Sequence, residues 1–149
     1  MLTLPHVWVW DCWIADDAET YHLFFLYAPR TPGDPLARHR QARIGHATSS
    51  DLRSLTQVDD ALNAGGADSF DGVATWTGSV IRAPHGDWMM YYTGINTVDG
   101  TIVQRIGVAT SADLFSWRKH PTNPILEADS RWYETLEDRC WHDVAWRDP

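Results

Sequence analysis

Short apolar runs separated by polar turns dominate the chain, and apolar residues at helical spacing are scarce. Residues 7–14 form an apolar run with a single charge, and residues 21–27 form a second, aromatic-rich run. Two runs of this length around a polar turn at 16–19 predict two buried strands joined as a hairpin. Residues 30–40 are rich in Pro, Gly and Asp and are predicted to form a long loop. The pattern indicates an all-β protein.

A repeated phrase organises the chain. Residues 44–54 and 106–116 are identical at eight of eleven positions and stand 62 residues apart. Both copies continue into Ser-x-Asp-Leu, in which the Ser and Asp side chains can bind nearby backbone amides and close a tight turn. A spacing of this kind is typical of a repeat architecture.

The flanking residues repeat as well. Residues 88–92 mirror the aromatic run at 21–27, and Trp76 precedes them as Trp10 precedes the first run. A third copy opens at 144–149.

Four short antiparallel strands in each repeat describe the blade of a β-propeller. We place blade 1 at about 5–64, blade 2 at about 70–128 and the start of blade 3 at about 140–149. A β-sandwich with chance similarities is the alternative. Because propellers close with four to eight blades, we expect the N-terminal part of a longer protein, or a small domain that closes by oligomerising.

Composition and charge disfavour several classes of function. The chain has 149 residues, with 12 basic against 20 acidic side chains and a net charge of −8, which disfavours a nucleic-acid partner. No apolar run approaches the roughly 18 residues of a membrane span. The first residues lack the features of a signal peptide, so a cytoplasmic location is expected. No phosphate-cradle motif or metal-ligand spacing is present, and we predict no cofactor and no metal.

The two cysteines and the scattered histidines receive structural interpretations. Cys12 and Cys140 are too few for a disulfide scaffold and are expected to be buried free thiols, with one long-range disulfide as the alternative. Solvent-facing positions are expected for His39, His46 and His120.

Two carboxylates stand out, because the first strand of each propeller blade lines the central channel. Asp11 lies between Trp10 and Trp13 at the start of the first repeat, and Asp148 lies at the start of the third. Thr77 takes the corresponding place in the second repeat. A carboxylate in so apolar a strand costs free energy unless it is paired or functional. Two carboxylates walled by tryptophans suit glycoside hydrolysis.

These residues carry a family resemblance. Val9-Trp10-Asp11-Cys12-Trp13, Trp76-Thr77-Gly78-Ser79 and Arg147-Asp148-Pro149, in that order, resemble the first three motifs of five-bladed β-propeller glycoside hydrolases. These are families 32 and 68, with relatives in families 43 and 62. The Trp-Asp-x-Trp form is most similar to family 68, and the phrase at 109–117 recurs across the superfamily. The resemblance covers almost the whole chain. It implies that residues 1–149 are the N-terminal part of one catalytic propeller, holding two blades and the first strand of a third.

The resemblance also implies residue roles. Asp11 would be the nucleophile, and Asp148 would stabilise the transition state by binding sugar hydroxyls, with Arg147 helping to hold the ligand. Three tryptophans would wall the first subsite, and Ser79 would hydrogen-bond the nucleophile; the tryptophans are Trp10, Trp13 and Trp76.

The resemblance places the third acidic residue, a glutamate that serves as acid/base, on the blade after Arg-Asp-Pro and therefore beyond residue 149. Glu134 and Glu137 precede that motif and do not match it.

The activity implied is hydrolysis of an O-glycosyl bond in a small carbohydrate, a β-fructoside such as sucrose or fructan, by a retaining mechanism. One alternative is an arabinosidase, xylosidase or mannoside phosphorylase of the related propeller families. A phosphorylase would need a phosphate pocket, for which the chain offers one basic cluster: Arg38, His39, Arg40 and Arg43. Another alternative is a truncated, inactive sugar-binding fragment. The sequence specifies no oligomeric state.

Overall fold

The chain folds as two antiparallel sheets that follow one another in sequence. The computed structural model describes residues 2–138 and 140–149. The first sheet has the order β1 (Val7–Asp16), β2 (Tyr21–Pro29), β3 (Arg43–Ser49) and β4 (Thr56–Gln57). The second has the order β5 (Ala74–Arg82), β6 (Trp88–Val98), β7 (Thr101–Ser111) and β8 (Arg118–Lys119). Strands that pair in chain order form the meander of a propeller blade, and the predicted all-β architecture is confirmed.

The repeated phrase forms the same structure twice. It supplies the third strand of each sheet and the turn after it. In the first copy Asp51 Oδ1 accepts hydrogen bonds from the backbone N–H groups of Arg53 and Ser54, both at 2.8 Å. In the second copy Asp113 Oδ1 accepts from Phe115 and Ser116 at 2.9 and 2.7 Å. These bonds to the charged form lower the pKa of both carboxyl groups.

The predicted loop at 30–40 contains a short 3₁₀ helix, Pro35–Arg40. Asp34 caps it, because its side chain accepts hydrogen bonds from the backbone N–H groups of Leu36 and Ala37. Pro35 suits the first helical position, where no N–H donor is needed. No helix in the described part of the chain has the length and apolar character needed to cross a membrane.

The third repeat contributes less regular structure than its sequence predicts. Val144 forms a parallel bridge with Val103 of β7; its N–H donates to Ile102 and its carbonyl accepts from Gln104, each at 3.0 Å. Apart from this bridge, residues 140–149 form no strand.

The main core lies where the two sheets face each other. The fully buried Phe24, Leu26 and Ile44 of the first sheet pack in one cluster with Met90 and Tyr92 of the second. Burial of side chains of this size is the chief favourable contribution to packing the two blades together.

The expectation that His46 faces solvent is wrong. His46 is completely buried, with His22 beside it, and His22 Nδ1 lies 2.9 Å from His46 Nε2. Asp17 Oδ2 lies 3.3 Å from His22 Nε2, and Phe115 of the second blade packs against both imidazole rings at 5.0 and 5.3 Å. The buried pair therefore belongs to the interface between the blades.

The cysteine expectation is also wrong in part. Cys12 and Cys140 are free, as expected, but both are exposed rather than buried. Cys12 follows an irregularity in β1 that changes the direction of the neighbouring side chains.

Candidate active site

A β-bulge presents Asp11. The register between β1 and β2 shifts between Trp10 and Cys12, so Asp11 has no partner across the ladder. Its φ of 34° lies in the left-handed region, which is uncommon for a residue other than glycine. A bulge bends the strand and redirects a side chain. The carboxylate of Asp11 is therefore exposed, although the strand around it is apolar.

The second blade carries the same irregularity at the same place. The register between β5 and β6 shifts between Trp76 and Gly78, which makes Thr77 the bulged residue. Its hydroxyl, Oγ1, donates a hydrogen bond of 2.6 Å to Oδ2 of Asp11. Thr77, which stands in the second repeat where Asp11 stands in the first, thus binds the carboxylate of Asp11.

Two of the predicted tryptophans lie beside these bulges and share a neighbour. Trp10 and Trp76 are half-buried, and the imidazole ring of His39 lies between them, at centroid distances of 6.2 and 5.9 Å in edge-on geometry. The indole Nε1–H of Trp76 donates to the carbonyl oxygen of His39 at 2.7 Å. The 3₁₀ helix that carries His39 is thereby attached to β5.

Asp148 reaches the same part of the second blade. Its backbone N–H donates to Oγ1 of Thr93 at 3.0 Å, and Thr93 is the cross-strand partner of Trp76. Arg147 Nε lies 3.3 Å from Asp148 Oδ2. Asp11 and Asp148 are thus anchored through neighbouring positions of β5 and β6.

A cleft of about 550 Å³ adjoins this group and is lined by Trp76, His39, Arg147 and Asp143, among others. The pKa of His39 is lowered, first by burial and then by the positive charges of Arg38 and Arg147. The carboxylates of Asp11 and Asp143 act in the opposite direction. The imidazole of His39 is therefore neutral at neutral pH.

Two predicted site residues take other positions. The ring of Trp13 stacks on the buried Phe24 of the same blade at 6.2 Å, and its indole nitrogen is buried without a hydrogen-bond partner. Trp13 thus packs against the main core cluster. Ser79 pairs with Tyr91 further along β5. Thr77, rather than Ser79, supplies the hydroxyl that binds Asp11.

His39 is a candidate site residue that the sequence pattern does not indicate, since the pattern predicts a solvent-facing position and the structure shows a half-buried ring. No motif around it signals its position, because that position depends on the cap at Asp34 and on the contact with Trp76 across 37 residues. The sequence had placed His39 in a basic cluster. In the structure Arg38, its neighbour, lies over the rings of Trp8 and Trp10 at 5.9 and 5.8 Å.

Within residues 2–138 and 140–149, no three His, Cys, Asp or Glu side chains lie close enough together to hold a metal ion. His142 and Asp143 lie 3.5 Å apart at the edge of the cleft.

Comparison with known proteins finds relatives along most of the chain. The model of the glycosyl hydrolases family 32 N-terminal domain matches residues 14–147. A β-fructofuranosidase, insoluble isoenzyme, of Arabidopsis thaliana is 32% identical over 115 residues, covering 74% of this chain and 18% of the relative. A sucrose:sucrose 1-fructosyltransferase of Festuca arundinacea is 36% identical over 116 residues, covering 71% of this chain and 15% of the relative. The chain therefore spans less than a fifth of either relative.

A solved structure agrees with the sequence relatives. Fructan 1-exohydrolase IIa from Cichorium intybus superposes with a TM-score of 0.71 and 26% identity, covering 95% of this chain and 25% of that chain. The predicted fold, two blades of a five-bladed β-propeller, is confirmed by this likeness and by the two meander sheets.

Proposed function

This chain belongs to the glycosyl hydrolase family 32 N-terminal domain family, and from that premise we propose that the whole protein cleaves β-fructosides such as sucrose or fructan. The observation that carries the proposal is the exposed carboxylate of Asp11, held at a bulge by Thr77 beside two half-buried tryptophans. Glycoside hydrolysis needs a carboxylate that faces the anomeric carbon and a surface that binds the sugar ring.

In the proposed reaction Asp11 is the nucleophile. The hydroxyl of Thr77 binds Oδ2, which leaves Oδ1 to attack the anomeric carbon. A carboxyl group of the enzyme protonates the leaving oxygen as its bond to that carbon breaks, and a glycosyl ester on Asp11 results. The same group then takes a proton from water, which attacks the anomeric carbon and frees Asp11. A sugar in the place of that water would give transfer rather than hydrolysis.

Asp148 and Arg147 are proposed to bind sugar hydroxyls, and Trp10 and Trp76 to wall the subsite. An indole face buries much of the apolar face of a sugar ring at a small cost in side-chain entropy. The backbone hydrogen bond from Asp148 to Thr93, the cross-strand partner of Trp76, holds Asp148 near that indole. This supports the proposal that Asp148 and Trp76 contact the same sugar ring.

The proton donor is proposed to lie outside residues 2–149. The two glutamates that precede the third repeat do not match the motif. Glu134 accepts a hydrogen bond from the thiol of Cys140 at 2.6 Å, and Glu137 lines a different cavity near Val144. The relatives are more than five times longer than the aligned segment, which leaves ample length for a donor on a further blade.

The test is release of fructose by the whole protein from sucrose and from inulin, compared with Asp11→Asn. We expect the substitution to lower kcat by about a thousandfold or more without unfolding the protein. Asp16→Asn is the matched control, because Asp16 is an exposed carboxylate at the far end of the same strand, and it should retain full activity. Hydrolysis that persists in Asp11→Asn would remove Asp11 from the mechanism. Turnover only in the presence of inorganic phosphate would favour a phosphorylase instead.

A further inference from the structure

His39 occupies a position that the proposed reaction leaves unexplained. It is a half-buried histidine on the 3₁₀ helix between β2 and β3, and it meets the inner strands of both blades. The helix has no buried residue, so it contributes little to the core. Its contacts are directed toward the tryptophans instead.

The contacts of His39 are with the two tryptophans proposed to bind sugar. Its ring meets Trp10 at an interplanar angle of 69° and Trp76 at 66°. An edge-to-face pair brings less of the two ring faces into contact than a stacked pair does, and the His39 ring occupies space into which either indole would otherwise rotate. One face of Trp10 is additionally covered by the guanidinium of Arg38 at 5.8 Å. The main-chain carbonyl adds the hydrogen bond to Trp76 Nε1, so the backbone and the side chain of one residue hold the same indole.

Two positive and two negative side chains surround the imidazole of His39. Arg38 and Arg147 face it as positive groups, and Asp11 and Asp143 face it as negative groups. Burial is the strongest influence and favours the uncharged ring. A neutral ring can pack against two indoles without leaving a desolvated charge between them.

We propose that His39 is a positioning residue that holds Trp10 and Trp76 in the orientation needed to stack on a sugar ring. The inference rests on the proposed function. His39 touches no reacting atom in this scheme; it acts through the two indoles, so its loss should weaken substrate binding and leave the chemical step almost intact.

The first experiment separates KM from kcat in the whole protein. His39→Ala should raise KM for sucrose about tenfold, because two aromatic edge contacts are lost, and should change kcat by less than about threefold. His39→Phe keeps a ring at the same place and should return KM to within about threefold of the unaltered protein. His85→Ala is the control, since His85 is an exposed residue in the turn between β5 and β6, and neither parameter should change.

The second experiment reads the contact without activity. In the whole protein labelled with ¹⁵N-tryptophan, the indole N–H resonances of Trp10 and Trp76 should shift together as the pH is lowered and His39 takes up a proton. His39→Phe should abolish that titration, and His85→Ala should preserve it.

The two experiments distinguish a failure of the His39 role from a failure of the proposed function. Indole resonances that titrate identically in His39→Phe overturn the proposal, as does an active His39→Ala enzyme with unchanged KM. An unaltered protein that releases no fructose overturns the proposed function instead. A raised KM, rescued by Phe and accompanied by the lost titration, supports the role of His39.

Discussion

The hydroxyl of Thr77 donates a 2.6 Å hydrogen bond to Asp11 Oδ2, although the two residues lie 66 positions apart. Both are bulged residues at equivalent places in successive blades. The bulge in the second blade therefore orients the candidate nucleophile, which lies at the equivalent bulge in the first blade.

Removing that hydroxyl should impair catalysis more than folding. We expect Thr77→Val to lower kcat/KM of the whole protein by about 10- to 100-fold, because a hydrogen bond to a charged group is lost. Thr77→Ser, which keeps the hydroxyl, should stay within about threefold. Steady-state kinetics with sucrose measure the effect, and equal kinetics for Val and Ser would show that the bond has no catalytic role.

The bulge in β5 requires a glycine after Thr77. A Cβ on Gly78 would collide with the carbonyl oxygen of Tyr91 in the paired strand, a main-chain atom that cannot move away alone. Gly78→Ala is expected to lower the free energy of unfolding by about 2–3 kcal/mol. Gly66→Ala is the matched control, since a Cβ there meets no atom within 4 Å. Urea unfolding of the two variants tests the difference; equal losses would contradict it.

The buried histidine pair predicts a loss of stability in acid. Burial, followed by the neighbouring His22, lowers the pKa of His46 to about 4, against 6.5 in an unfolded chain. The unfolded chain thus binds a proton that the folded chain excludes. The stabilising contribution is complete above pH 6.5 and is lost as the pH falls toward 4.

A difference measurement isolates this contribution from those of the acidic residues. His46→Val introduces the residue that the second repeat has at the equivalent place, Val108. The unfolding free energy of the unaltered chain minus that of His46→Val should shrink between pH 6.5 and 4. His85→Ala, at an exposed site, should parallel the unaltered chain, and a constant difference for His46→Val would contradict the prediction.

An ion pair between the buried Asp71 and the half-buried Lys119 stabilises the segment that connects the two blades. Asp71 has a side chain that is only 2% exposed, and its Oδ2 accepts from Lys119 Nζ at 2.5 Å and from the Tyr92 hydroxyl at 2.9 Å. Burial and the negative charge of Asp71 raise the pKa of Tyr92, so the phenol remains a donor. Lys119→Met should cost about 3 kcal/mol, because it leaves the Asp71 charge buried with neutral donors alone.

The double variant Asp71→Asn/Lys119→Met should lose less stability than Lys119→Met, because the unpaired charge is also removed. The free energies of unfolding in urea of the two single variants and the double variant complete the double-mutant cycle. Strictly additive losses would show that the two side chains are not coupled.

The blade architecture and the family could be predicted from the sequence, and so could the positions of Asp11 and Asp148 at the start of the first and third repeats. They were accessible because strand alternation and an eight-of-eleven repeat are local properties of the chain. The bulge at Asp11 could not be predicted, because no local pattern reveals it, and it changes the face of the strand on which the ring of Trp13 lies.

The amino-acid sequence by itself determined that the chain repeats a four-stranded unit, and which carboxylates stand at the start of the first and third copies. Only the tertiary structure decided that Thr77 rather than Ser79 binds Asp11, that His39 lies in the candidate site, and that His46 is buried at the interface between the blades. The physical reason is that these contacts join segments far apart in the chain. They depend on bulges, a capped turn and the docking of two sheets, none of which a local pattern encodes.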